Sequence, residues 1–172
     1  MKRMGFALPT ILAVTFGFSL ACGMSPWTQD APADAPPSDR NPQKQTIADI
    51  RNTGTAMFSW LTDQVGAAAA GQSQVPPVDL ADYAAISHAD LATILVPEYM
   101  REVPELDGWD SPYEFYLNVA NPLAQKVMGI RSPGRDGLFS DTAYTVTSFD
   151  PESLDEDLVW ADGFFVRWPQ KK

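Results

Sequence analysis

Apolar residues at Ile47, Ile50, Met57, Phe58, Leu61 and Val65 fall along one face of a 3.6-residue repeat, which predicts an amphipathic helix opening at Thr46. Ala67 to Ala70 extend the pattern and Gly71 supplies a stop. Gly54 sits on the apolar side, where a missing side chain admits a closely packed strand. Gln72 to Asp79, with Pro76-Pro77, reads as a loop. A second helix begins at Ser87, an N-cap with Asp90 three residues on, buries Leu91, Ile94 and Leu95, and is limited by Pro97.

After Pro104 the period changes. Tyr113 to Leu117 is aromatic and strand-like, and Val127 to Arg131 reads as its partner. Tyr144 to Thr147 alternates. Leu158 to Trp160 and Phe164 to Val166 flank Asp162-Gly163, a tight-turn signal for a hairpin. Helices followed by short antiparallel strands predict an α+β fold, with the long first helix packed across one face of a small β-meander. Phe164 and Phe165 are adjacent on a strand and must point to opposite faces. With Trp168, they are candidates for a partner-binding surface, and burial under the tether is the alternative.

A second apolar run, Met4 to Leu20, follows the basic pair Lys2-Arg3 and ends at Cys22, the only cysteine. Ser19-Leu20-Ala21-Cys22 reads as a bacterial lipobox, cleaved before a diacylglycerol-bearing Cys22. An ordinary secretory signal or a short anchor are the other readings of the run, which Pro9 interrupts. Gly23 to Gln43 is rich in Pro, Ala, Ser and Asp and cannot bury enough apolar surface to fold. The expected organisation is a signal peptide at 1–21, a tether at 22–43 and one α+β domain at 44–172. An acylated Cys22 anchors the chain to a membrane. Gly23 stands where aspartate retains some lipoproteins in an inner membrane. The expected location is therefore the bacterial cell envelope, on the outer membrane facing the periplasm.

Composition narrows the function classes. The formal net charge of −10 becomes −12 once Lys2 and Arg3 leave with the signal. That argues against nucleic acid, whose binding is dominated by phosphate neutralisation. With Cys22 acylated, no internal disulfide can form, so stability must come from packing or metal.

Two blocks carry a resemblance. One is Gly108-Trp109-Asp110-Ser111-Pro112-Tyr113; the other is Ser132-Pro133-Gly134-Arg135-Asp136-Gly137. With Asp155-Glu156-Asp157-Leu158 and the preceding helix, they resemble the globular domain of the major pseudopilin, protein G, of type II secretion. The resemblance spans Thr46 to Trp160 and implies a pseudopilin-like helix-on-sheet fold. It implies a structural or protein-interaction role, with an envelope or secretion-system protein as partner. It further implies a calcium ion held by Asp136, Asp155 and Asp157, with Asp141 and Asp150 as further oxygen donors in the same loop. Such an ion would staple a loop of about 20 residues, a length at which loops are functional or disordered. Composition alone reads these aspartates as a solvated acidic face. Gly5-Phe6 stands where a pseudopilin leader is cut, but Thr10 replaces the glutamate of that motif and a Pro-rich tether interrupts the helix. A genuine pseudopilin with a degenerate leader is thus the second reading.

Signals for catalysis are few. His88, the only histidine, is expected exposed at a helix start, and no Gly-x-Ser-x-Gly elbow exists. Glu98, Glu102, Glu105 and Asp107 read as soluble surface rather than a glycosidase pair. Trp109, Tyr113, Phe115, Tyr116 and Trp160 read as sheet core and edge cover rather than a stacking platform. An envelope-polymer hydrolase is the third reading, and the expectation is a protein that is not an enzyme.

Overall fold

The computed structural model divides the chain into two units, Met1–Pro36 and Pro37–Lys172. It describes residues 41–66 and 77–171. The signal, Cys22, the tether up to residue 40 and the helix extension to Gly71 lie outside the described residues. No helix among the described residues is long and apolar enough to cross a membrane.

Helix α1 (Pro42–Val65) starts earlier than its apolar pattern suggests. The Asn41 side chain accepts the Lys44 N–H at 3.1 Å, and Pro42 sits in the first turn, where its missing N–H costs nothing. Pro42 and Gln43, assigned to the tether from composition, are therefore helical, and Gln43 is buried. Thr46, Ile50, Thr53, Met57 and Leu61 form the buried stripe. A fully buried Ile, Met or Leu contributes about 1.5–3 kcal/mol. Gly54 does what its position suggested: a Cβ there would lie 2.8 Å from the Trp160 ring. Helix α2 (His88–Leu95) is capped as expected, Ser87 Oγ accepting the Asp90 N–H at 3.1 Å.

The strands are β1 (Val78–Asp79), β2 (Ala85–Ile86), β3 (Glu114–Leu117), β4 (Met128–Ser132), β5 (Ala143–Tyr144), β6 (Thr147–Phe149), β7 (Leu158–Ala161) and β8 (Phe164–Pro169). Six form one sheet in the order β2-β3-β4-β7-β8-β6. Each pair is antiparallel except β6–β8, which is parallel. The β7–β8 turn is the predicted Asp162-Gly163, with φ of 43° and 104°, as a primed hairpin turn requires. The segment Tyr144 to Thr147 is not one strand: Tyr144 ends β5 and Thr147 opens β6.

The α+β class is as expected, but the sheet is more than a meander with one covered face. Phe115, Leu117, Met128, Ile130, Leu158 and Trp160 pack with α1 and α2 in one cluster. Their alternates Tyr116, Val159, Ala161 and Val166 pack with Val78, Leu80, Tyr83 and Tyr144 in a second. The paired strands β1 and β5 and the short 3₁₀ turn at Leu80–Asp82 thus cover the opposite face.

Candidate functional site

The two motif blocks meet at the root of the acidic loop. Asp107, only 2% exposed, is the joint. Its Oδ1 accepts the N–H groups of Trp109 and Ser111, both at 2.9 Å, which folds the first block into a turn. Its Oδ2 accepts the Ser132 hydroxyl at 2.6 Å, which ties that turn to the end of β4. Gly108 then seats the turn on α1. Its N–H donates to Thr46 Oγ1 at 2.9 Å, and a Cβ there would fall 2.2 Å from the Pro42 carbonyl oxygen. Asp107 was expected among surface carboxylates; it is buried because three donors converge on it.

The second block turns back on the far end of the loop. Gly134, with φ of 76°, has no room for a Cβ, which would lie 2.8 Å from the carbonyls of Leu154 and Glu156. The Arg135 N–H donates to the Leu154 carbonyl at 2.9 Å. The loop root is therefore closed by backbone contacts between residues 134–135 and 154–156.

The three aspartates of the predicted metal set have separate engagements. Asp136 is exposed, and its Oδ1 accepts the Leu138 N–H at 3.0 Å. Asp155 is exposed and gripped by Arg135, Nε to Oδ1 and Nη2 to Oδ2, both at 2.8 Å. Hydrogen bonding from Arg135 holds its carboxyl below the usual range. Asp157 is 2% exposed. Its Oδ2 accepts Ser140 N–H at 3.0 Å, Ser140 Oγ–H at 2.8 Å and the Tyr144 hydroxyl at 2.7 Å, while Oδ1 is buried with no hydrogen-bond partner. Among the described residues, no group of three or more His, Cys, Asp or Glu side chains is gathered as a metal cluster. Asp141 and Asp150 cap turns, accepting Thr142 N–H at 2.7 Å and Glu152 N–H at 2.9 Å.

Beneath the loop lies Arg131, 7% exposed. Nε and Nη2 reach Glu114 Oε2 at 2.8 and 2.6 Å, and Nη1 reaches the Asp141 carbonyl at 2.7 Å and Tyr144 Oη at 3.1 Å. Phe139 stacks 4.0 Å above the guanidinium. Burial works against its charge, but the bonds to Glu114 and Tyr144 outweigh it, so Arg131 stays charged. Burial and the Asp157 bond push the Tyr144 hydroxyl well above the usual tyrosine range. Tyr144 Oη is also 2.5 Å from the Asp141 carbonyl, so its single proton faces two acceptors. Sequence reasoning missed Arg131 and Tyr144. The available signal was Arg131 at an inward strand position directly opposite Glu114.

The other candidates are dispersed. Phe164 packs at the edge of the second cluster and Phe165 against the first, the opposite faces that strand geometry demanded. Both line a groove of about 340 Å³ with Arg51, Gly54, Phe58 and Trp160. Trp168 is half-buried, opposite Ser148. His88, expected exposed, is half-buried: its Nε2 lies 2.9 Å from the Val103 carbonyl, an acceptor only, so Nε2 carries the proton.

The fold and loop define an α+β domain with a sheet covered on both faces and an acidic loop latched at its root. No family model, curated protein or solved structure matches the chain.

Proposed function

We propose that the chain is a lipid-anchored cell-envelope protein, held to the outer membrane through Cys22. Its folded domain serves as a pseudopilin-like structural or interaction module rather than an enzyme. Its partner is an envelope or secretion-system protein, met through the half-buried aromatics Phe164, Phe165 and Trp168. Calcium fixes the acidic loop, with Asp136, Asp155 and Asp157 as the residues that would hold it.

The observation that carries the calcium reading is Asp157 Oδ1. A buried carboxylate is costly unless paired with a cation or fully hydrogen-bonded. Asp157 has neither a salt bridge among the described residues nor a partner for Oδ1. Calcium, a hard cation taking six to eight oxygen ligands, supplies charge neutralisation and a cross-link when bound. The chain's part is to orient the loop: Ser140 and Tyr144 fix Asp157 Oδ2, and the Gly134–Arg135 turn packs on the Leu154 and Glu156 carbonyls.

The test is a thermal melt of the purified protein in calcium and then in chelator. Saturation at 100 times Kd stabilises by about 2.7 kcal/mol, a Tm rise of roughly 10 °C for a domain of this size. The rise should vanish in Asp157→Ala. A melt that ignores calcium refutes the metal assignment. A tryptic peptide bearing Cys22 with diacylglycerol mass tests the anchor separately.

A further inference from the structure

The groove between α1 and the β7–β8 hairpin carries one charged side chain, Arg51, and nothing among the described residues answers it. Lys126, Arg131, Arg135 and Arg167 pair with Asp82, Glu114, Asp155 and Glu156, but Arg51 has no ion pair there. Its helix neighbours three and four residues away are Ile47, Ala48, Gly54 and Thr55, none of them acidic. The rest of the lining is largely apolar. Phe58 and Phe165 are half-buried, and Trp160 packs against Gly54, where a Cβ would lie 2.8 Å from its ring. We propose that this groove takes an extended peptide segment of a partner protein, with one acidic side chain and a large apolar side chain three residues from it. The assignment rests on the reading of Phe164 and Phe165 as partner contacts.

Spacing along the helix sets the spacing of the peptide. Arg51, Gly54, Thr55 and Phe58 recur at i, i+3, i+4 and i+7, so they form one wall of the groove. Arg51 and Phe58 are therefore about 10 Å apart along the helix axis, at about 1.5 Å per residue. An extended chain covers that length in three residues of about 3.3 Å each. A carboxylate at the Arg51 end meets a planar fork of donors, and an apolar side chain at the Phe58 end meets aromatic walls. The net charge of −10 restricts the acid to one, because an acidic tract would be repelled by the rest of the chain. The groove volume of about 340 Å³ suits a few inserted side chains.

The experiment pans phage-displayed random octapeptides against the full-length protein in phosphatidylcholine nanodiscs, with empty nanodiscs as the subtraction. Enriched peptides should share one acidic residue and, three residues away, an aromatic or large aliphatic one. The best of them is labelled and titrated by fluorescence anisotropy. Arg51 and Thr55 are exposed, so substitution there leaves the fold intact. Arg51→Gln should weaken binding roughly two- to five-fold, the range of an exposed ion pair. The same peptide with its acid replaced by the amide should bind parent and Arg51→Gln equally. Thr55→Glu sets a carboxylate one turn from Arg51 and should also weaken binding, while Thr55→Gln and the remote Lys44→Gln should match the parent. A consensus without an acid, or affinity unchanged in Arg51→Gln and Thr55→Glu, overturns the groove assignment. If those peptides are instead lost in Trp168→Ala, the partner surface stands without the groove. A dimer in sedimentation that Thr55→Glu dissociates gives the groove to a second copy and overturns peptide docking. No enrichment over empty nanodiscs brings down the partner-contact reading and the groove with it.

Discussion

Replacing Asp107 by alanine removes one carboxylate and strands three donors. The N–H groups of Trp109 and Ser111 and the Ser132 hydroxyl converge on it at 2.9, 2.9 and 2.6 Å. The site is buried, Asp107 being 2% and Ser132 0% exposed, so water does not replace the lost acceptor. A buried donor left unpaired costs about 1–3 kcal/mol. The hydroxyl can rotate, but the two backbone groups cannot, so the cost is about 2–6 kcal/mol, centred near 4. Asparagine keeps an oxygen for both backbone donors and turns its amide toward Ser132 Oγ, which can then accept. Charge assistance and the acceptor of the Ser132 proton are lost, a smaller cost of about 1–2 kcal/mol. Urea unfolding followed by tryptophan fluorescence gives the numbers, with exposed Glu105→Ala as a control expected within about 0.5 kcal/mol of the parent. Asp107→Ala within about 1 kcal/mol of the parent, or as stable as Asp107→Asn, would refute the joint.

Two further predictions test the other contacts. Gly54→Ala should destabilise although alanine is the better helix former by about 1 kcal/mol, because the new Cβ meets the Trp160 ring at 2.8 Å and overpacking costs about 1–3 kcal/mol; a higher Tm would show that the ring yields freely into the adjoining groove. All five tyrosines have hydroxyls shifted upward, Tyr83, Tyr113, Tyr116 and Tyr144 chiefly by burial and Tyr99 by its bond to Asp63; Tyr116 is raised to about 12. The folded state therefore holds phenolic protons that the unfolded state gives up near pH 10, so stability falls as pH rises above 10; phenolate absorbance growing at pH 10 while the protein is still folded would contradict this.

Local chemistry made some elements legible. Ser87 with Asp90, Asp162-Gly163 and the alternation in Phe115-Tyr116-Leu117 each encode their own geometry within a few residues. The parallel pairing of β6 with β8 joins Ser148 to Trp168, and no local pattern announces it. The ribbon β1–β5 is built from two-residue strands, too short for a period to register. Yet its presence had a sign: Leu158-Val159-Trp160-Ala161 is apolar without alternation, as a strand covered on both faces must be.

The same distinction governs the acidic loop. Asp136, Asp155 and Asp157 are alike in sequence, but only Asp157 is buried, because Ser140 and Tyr144 come from elsewhere in the loop to meet it. Tyr144 is held in turn by Arg131 from β4, and Arg131 by Glu114 from β3. A spacing motif can name the carboxylates, but the sheet decides which one is left buried with a free oxygen. Arg135 and Asp155 pair outside that network, in the open, so their ion pair leaves the sheet beneath it untouched.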